Sequence, residues 1–370
     1  MKTIIKHILL NLFLITLFSC SVEDGKDGKD GKDGIDGING SDGQSSSGLT
    51  YVYINGNITD AEAIVKIQNE VGSNTQFIFV ENTTALTTLN LSNVTELVHL
   101  QISNNPLLTT LDLSNLAKIN SYFYFKNNPL VTNLNLSKLK ISRGDLRIIG
   151  SADLNTNSLQ QLDLSELAEV DTIIISEINS GTLVLNNLVK VNNIIDISAN
   201  TNLVSLNLSS ITNCKKVNVL ENVNLTTVDF SGLSTLSDDL YVIGNRSLTN
   251  LNLSALVSVP NVDIRSNDQL VVLDLPLFTT SLNALRINYN TVLSTINMPL
   301  INQIYYIQFD NNNLDSNAIN GFLNLFVNIT PAITNKYIDL SSQLIPAPPT
   351  GTGITNYNTL IASGNNIITD

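Results

Sequence analysis

The chain has 370 residues, enough for an ample core, and only 14% of them are charged, so that its polarity comes from Asn, Ser and Thr. A formal net charge of -13 argues against nucleic acid as a partner and against electrostatic docking on anionic lipid. The two cysteines, Cys20 and Cys214, sit in unlike contexts and the two histidines are His7 and His99, so neither a disulfide framework, a metal site nor a cofactor is expected.

Lys2, Lys6 and His7 make a basic start, followed by an apolar run over 8–18 that Asn11 and Thr16 interrupt. The run is short for a membrane span of about 20 residues but suits the apolar segment of a signal peptide. It ends Leu17-Phe18-Ser19-Cys20. With Leu three residues before the cysteine and a small residue directly before it, this resembles the lipobox of bacterial lipoproteins. The resemblance implies a signal peptide over 1–19, a lipidated Cys20 and attachment to a membrane through that lipid. Ordinary secretion with an incidental cysteine is the alternative. Ser21-Val22-Glu23-Asp24 looks like the surface-export signal of Bacteroidota lipoproteins, which implies an outer-membrane protein facing outward. A plain solvated start would leave a periplasm-facing protein.

Gly25, Gly28, Gly31, Gly34, Gly37, Gly40 and Gly43 recur every third residue, mostly with Lys-Asp between them. Glycine at every third place is what a collagen triple helix needs, but no proline pre-sets the extended conformation. The segment 20–48 therefore reads as a lipidated cysteine and flexible tether on a monomer, with a trimerising stem as the alternative. Residues 21–44 would span roughly 25–30 Å as coil and about 75 Å if extended.

Residues 49–54 alternate like a strand. Thr59-x-x-Glu62 is a capping box, opening a helix whose apolar face is Ala61, Ala63, Ile64, Ile67 and Val71 and which ends at Gly72. Residues 77–82 then begin a ladder. Its fullest form is Leu-Gln-Ile-Ser-Asn-Asn-Pro-Leu-Leu-Thr-Thr-Leu-Asp-Leu-Ser-Asn-Leu over 100–116. The asparagine closing the first half returns at Asn82, Asn105, Asn128, Asn200, Asn222, Asn245, Asn267, Asn290 and Asn312, at steps of 22 or 23 residues outside the stretch 128–200. A fixed period in that range means stacked coils.

The helix followed by a strand and then by L-x-I-x-x-N-P-x-L-x-x-L-x-L repeats resembles the receptor L-domain and related leucine-rich solenoids, over roughly 56–313. The second half, L-x-x-L-[DN]-L-S-x-L, leaves no room for a helix and favours a β-helical form over a horseshoe. The expected fold is mainly β: a right-handed parallel β-solenoid of about ten coils, with a helical cap and first coil at 49–81, the leucine-rich solenoid at 82–313 and a small α/β cap at 314–370.

Alternation points Leu100, Ile102, Leu111 and Leu113 inward. The Asn column reads as architecture, since Asn accepts the left-handed turn conformation and its amides can ladder between coils. A second column, Asn90, Asp112, Asn135, Asp163, Val184, Asn207, Asp229, Asn252, Asp274 and Asn297, interposes Asn between like charges, with a calcium face as the sharper alternative. The pattern breaks once. The coil between Leu139 and Leu159 is longer, Ser151 and then Ile178 stand where Asn is expected, and 150–158 with 176–181 would form a protruding edge, a candidate binding site with a tolerated insertion as the alternative.

On the outward side of the L-x-I strand lie Gln101, Tyr124, Arg147, Ile174, Asp196, Asn218, Tyr241, Asp263, Arg286 and Gln308. Tyr and Arg favour binding surfaces, so Tyr124, Arg147, Tyr241 and Arg286 are the candidate ligand-binding residues. His99 reads as a solvated turn residue. Cys214 reads as an isolated thiol, although Lys215 and Lys216 beside it could lower its pKa. A helix over 316–328, a strand over 337–341, a helical turn over 357–362 and a strand over 366–369 complete the chain. No catalytic motif is present in the sequence. The expectation is a lipid-anchored surface protein, not an enzyme, that presents its solenoid to a protein or glycan ligand. A β-helical polysaccharide-processing enzyme and a passive envelope component are the alternatives.

Overall fold

A computed structural model describes residues 47–151 and 159–370. Cys20, the apolar run, the Gly-X-Y run and most of the 150–158 stretch lie outside the described residues. The fold is a parallel β-solenoid of about 11 turns of ~23 residues, 38% strand and 11% helix. Its long sheet has 15 strands. The first are β1 (Tyr51–Gly56) and, after helix α1 (Asp60–Glu70), β2 (Phe77–Thr83). Next come β3 (Thr88–Asn90), which belongs to a second sheet, β4 (Glu96–Ser103), back in the long one, β5 (Thr110–Asp112) and β6 (Lys118–Lys126). The alternation continues up the chain, with a third short strand in several later coils at Lys190–Val191, Asn213–Cys214 and Thr235–Leu236. Every strand pair is parallel, as a coil that always advances in one direction requires.

The inward residues form straight columns. Ile78, Leu100, Phe123, Leu146 and Ile173 stack in one, and Val80, Ile102, Phe125, Ile148 and Ile175 in the next, all buried. Leu111 and Leu113 line the opposite wall. Each such side chain contributes about 1.5–3 kcal/mol by leaving water. Among the described residues the core runs from Val52 to Ile367, within the compact unit 45–370.

Eight strands of the long sheet end in a turn whose residue at φ near +55° is Asn104, Asn127, Ala199, Glu221, Ser266, Tyr289 or Asn311, with Gly244 in the same place at +73°. The residue after it is the buried Asn. The left-handed conformation therefore belongs to the preceding residue rather than to the ladder Asn itself. The turn aims the Asn side chain into the stack. Asn222 donates through Nδ2 to the Ile197 carbonyl (2.8 Å), while its Oδ1 accepts the Asn200 backbone N–H (3.0 Å). Asn245 repeats this with Val219 and Asn222, and Asn267 with Val242 and Asn245.

Asn82 does not belong to this ladder. It is the left-handed residue of its turn, and Thr83 occupies the buried position, donating to Asn105 Oδ1. Asn82, Asn104 and Asn127 form a separate exposed ladder one residue earlier. At the far end Gln343 extends the buried ladder, reaching the Phe309 carbonyl at 2.9 Å and accepting from the Leu314 N–H.

The Asn/Asp column has a local cause as well. Asn90, Asp112, Asn135, Asp163, Asn207, Asp229 and Asn252 each accept the N–H of the serine two residues on. These are Asx turns. At Asp274 and Asn297 the second residue on is Pro276 or Pro299, which has no N–H to donate.

The capping box at Thr59 and Glu62 is present, but α1 buries only Ala63 and Ile67, with Val71 just beyond it, and leaves Ile64 exposed. β1 is itself the first rung of the long sheet. The carboxy-terminal part adds two more, Tyr337–Asp339 and Asn366–Ile368, so the sheet runs past the expected end at 313. Helix α2 (Ser316–Val327) is capped by Asp315 and buries Ile319, Phe322, Leu323 and Phe326. Helix α3 (Thr352–Ala362) is longer than the single turn expected from its Thr- and Asn-rich sequence, because it packs on α2. The expected edge over 176–181 does not protrude, since Ile178 and Ser180 are buried.

Removing one rung should expose the ladder's role. Asn222→Ala strands the Asn200 N–H and the Ile197 carbonyl in the core, and is expected to cost about 2–3 kcal/mol in urea unfolding. Asn82→Gly, which keeps the left-handed turn at the exposed ladder, is expected to cost about 0.5 kcal/mol or less.

Candidate binding face

The long sheet's outward face is built by register. One column reads Tyr53, Phe79, Gln101, Tyr124, Arg147, Ile174, Asp196, Asn218, Tyr241, Asp263, Arg286 and Gln308. A parallel column two residues earlier begins Tyr51, Phe77, His99 and Tyr122. The four candidate residues all lie on this face, but in two groups.

The first group is an aromatic ladder. Tyr51 stacks on Phe77 (centroids 4.5 Å apart, 11° between planes) and Tyr53 on Phe79 (5.0 Å, 9°). Phe79 meets His99 at 4.9 Å, His99 meets Tyr122 at 5.1 Å, and Tyr122 meets Tyr124 at 5.7 Å. Coil spacing of about 4.8 Å makes stacking almost unavoidable for the pairs that share a column, Tyr51–Phe77, Tyr53–Phe79 and His99–Tyr122, while Phe79–His99 and Tyr122–Tyr124 link the two columns. The Arg147 guanidinium lies 5.8 Å from the Tyr122 ring centre and pairs with Asp145 at 2.6 Å. Sequence reasoning named Tyr124 and Arg147 and missed the other members. Tyr51 and Tyr53 had been assigned to a cap, and the pairing of β1 with β2 is what brings them into line.

The second group is charged. Lys216 lies 4.4 Å from the Tyr241 ring centre and 2.8 Å from Asp239, which also accepts from Asn261 at 2.9 Å. Burial opposes the Asp239 carboxylate, but these donors outweigh it and hold its pKa below the usual value. Asp263 stands between Tyr241 and Arg286 in register, and burial pushes its pKa up despite Arg265 and Arg286 nearby. Arg286 sits 5.1 Å from the Tyr306 ring centre, and Tyr306 stacks on Tyr337 at 4.7 Å. Arg286 and Tyr241 are thus separated by Asp263, each engaged with its own neighbour.

His99 is not a solvated turn residue. It lies half-buried on β4 between Phe79 and Tyr122, with a buried Nε2 that has no hydrogen-bond partner. Cys214 is buried, and burial pushes its thiol up to about 12, so the neighbouring lysines do not activate it. Among the described residues no group of three or more His, Cys, Asp and Glu side chains is placed to hold a metal ion, and no helix is long and apolar enough to cross a membrane. No protein-family model and no curated protein matches the chain.

Burial lowers the His99 pKa below its ordinary 6.5, against a weaker opposing hydrogen bond that the imidazole donates to Gln101. The unfolded chain therefore takes up a proton that the folded ladder resists. Stability is full above pH 6.5 and falls as pH drops through 6.5 toward the folded pKa. The urea midpoint of the native chain is expected to drop between about pH 7.5 and about pH 5.5 by more than that of His99→Phe.

Proposed function

We propose that this chain is a lipid-anchored cell-surface binding or adhesion protein that presents its solenoid to a protein or glycan ligand. The observation carrying this reading is the outward face of the long sheet, where Tyr122, Tyr124 and Arg147 are already held together by stacking and by Asp145. Tyr and Arg are the side chains on which binding energy concentrates, and groups fixed before contact lose little entropy on binding.

The ladder's geometry favours a protein ligand over a stacked sugar at that group. The inner rings face one another along the solenoid axis and turn their edges outward, so their flat faces are not open to a pyranose. The resemblance of Leu17-Phe18-Ser19-Cys20 to a lipobox supports anchorage through Cys20, and the leucine-rich period supports kinship of shape with L-domain and leucine-rich repeat receptors. A tether over 20–48 would hold the face away from the membrane.

Protease shaving of intact cells, followed by detection of residues 45–370, tests the location. Loss of signal is expected. Protection until the envelope is opened would overturn the surface reading, and turnover of an acidic polysaccharide by residues 45–370 would overturn the binding reading. For a ligand found by screening proteins and glycans, Tyr124→Ala with Arg147→Ala is expected to weaken binding at least tenfold, about 1.4 kcal/mol, while Tyr305→Ala leaves it unchanged.

A further inference from the structure

The solenoid's sheet ends are closed with care, except at one edge. At the amino-terminal end of the second sheet, Asp60 accepts the Thr87 and Thr88 N–H groups at 2.7 and 3.1 Å, in place of the missing preceding strand. At the carboxy-terminal end the last strand is only three residues long, and the Asp370 carboxylate gathers the N–H groups of Ser342, Gln343 and Ala347. Among the described residues β1 has no such closure. It is six residues long, carries neither charge nor proline, and pairs among those residues with β2 alone. Edge strands of that kind invite another strand, and proteins ordinarily blunt them.

The free side of β1 follows from the ladder. The Thr50 carbonyl accepts from the Phe77 N–H at 3.0 Å. Alternate residues of a strand point their backbone groups the same way, so Thr50, Val52 and Ile54 address β2. The N–H and C=O groups of Tyr51, Tyr53 and Asn55 point away from it, where no strand lies among the described residues. Tyr51 and Tyr53 are 50% and 49% exposed, each stacked on one side only. Leu49, Ile64 and Val65, also at this end of the chain's first coil, are more than half exposed.

We propose that β1 is a docking edge for a second copy of this chain, paired antiparallel about a two-fold axis at Val52. The sequence Tyr51-Val52-Tyr53 reads the same in both directions from that point. The axis sets Tyr51 opposite the second copy's Tyr53, as a pair that exchanges both backbone hydrogen bonds. The facing rings then meet at strand spacing, about 4.8 Å, close to the 4.5 and 5.0 Å within each copy. The aromatic ladder continues across the junction from Phe77 to the second copy's Phe79. Such a contact uses the same patch on both copies, so it closes at two and builds no fibre. It replaces the monomer expected from the sequence and does not need the Gly-X-Y run.

Sedimentation of residues 45–370 and of residues 21–370 tests this. Both are expected to run at twice the chain mass at high concentration. Tyr53→Lys is expected to return the mass to that of one chain while the circular dichroism spectrum stays that of the folded solenoid, and Tyr305→Lys, on a different exposed site, to leave the dimer intact. Mixing Tyr51→Cys with Tyr53→Cys is expected to give an oxidised cross-link between the two variants and little in either alone, since opposed Cα atoms of such a pair lie at about 5.5 Å. One chain mass at every concentration would overturn the proposal. So would a dimer that survives Tyr53→Lys, a trimer confined to the chain that keeps residues 21–44, or cross-linking of each variant with itself alone.

Discussion

The structure depends on the hydrogen bonds of an asparagine that recurs in most of its coils. A coil of this size has to turn sharply, and the turn leaves a backbone N–H and a strand carbonyl pointing into the interior. Unpaired, each would cost about 1–3 kcal/mol. The Asn side chain meets both needs at once, its amide nitrogen serving the strand carbonyl and its oxygen the turn N–H of the preceding coil. Because every Asn bonds to the coils beside it, the ladder also sets the advance from coil to coil, and the inward columns fall into line behind it. Thr83 begins the ladder and Gln343 ends it with different chemistry of the same sense.

That advance also determines the outer face. Residues 22 or 23 apart are brought to strand spacing, so any aromatic or charge that recurs in phase becomes a stack or a cluster. Near the amino terminus the result is a run of rings, and further along it is an alternation of Lys, Tyr, Asp and Arg. A rigid interior therefore delivers a rigid surface, the property on which the binding reading rests.

Much of this was legible from the period. The inward positions Leu100, Ile102, Leu111 and Leu113, the capping box at Thr59 and the helix after Asp315 all follow from local pattern, and the structure has each of them. What escaped was register at the ends. Asn82 fits the spacing to Asn105, yet the pairing of Glu81 with Ser103 places it one residue early. Gln343 was hidden because its coil contains α2, which breaks the period. The aromatic ladder was half-seen for the same reason: Tyr51 and Tyr53 precede α1, and only strand pairing shows that they sit on the same sheet as His99 and Tyr122.

The central claim is that a coil carrying the ladder Asn is an interchangeable unit held by it. Excision of residues 223–245 tests it directly, since Asn222 and Asn245 are 23 residues apart and equivalent. The deletion joins Asn222 to Arg246 and restores the ladder between Asn222 and Asn267. The account predicts a folded protein one coil shorter, with the same circular dichroism per residue and a modestly lower urea midpoint. An unfolded or aggregated product would contradict it, because the coils would then owe their stability to something other than their neighbours.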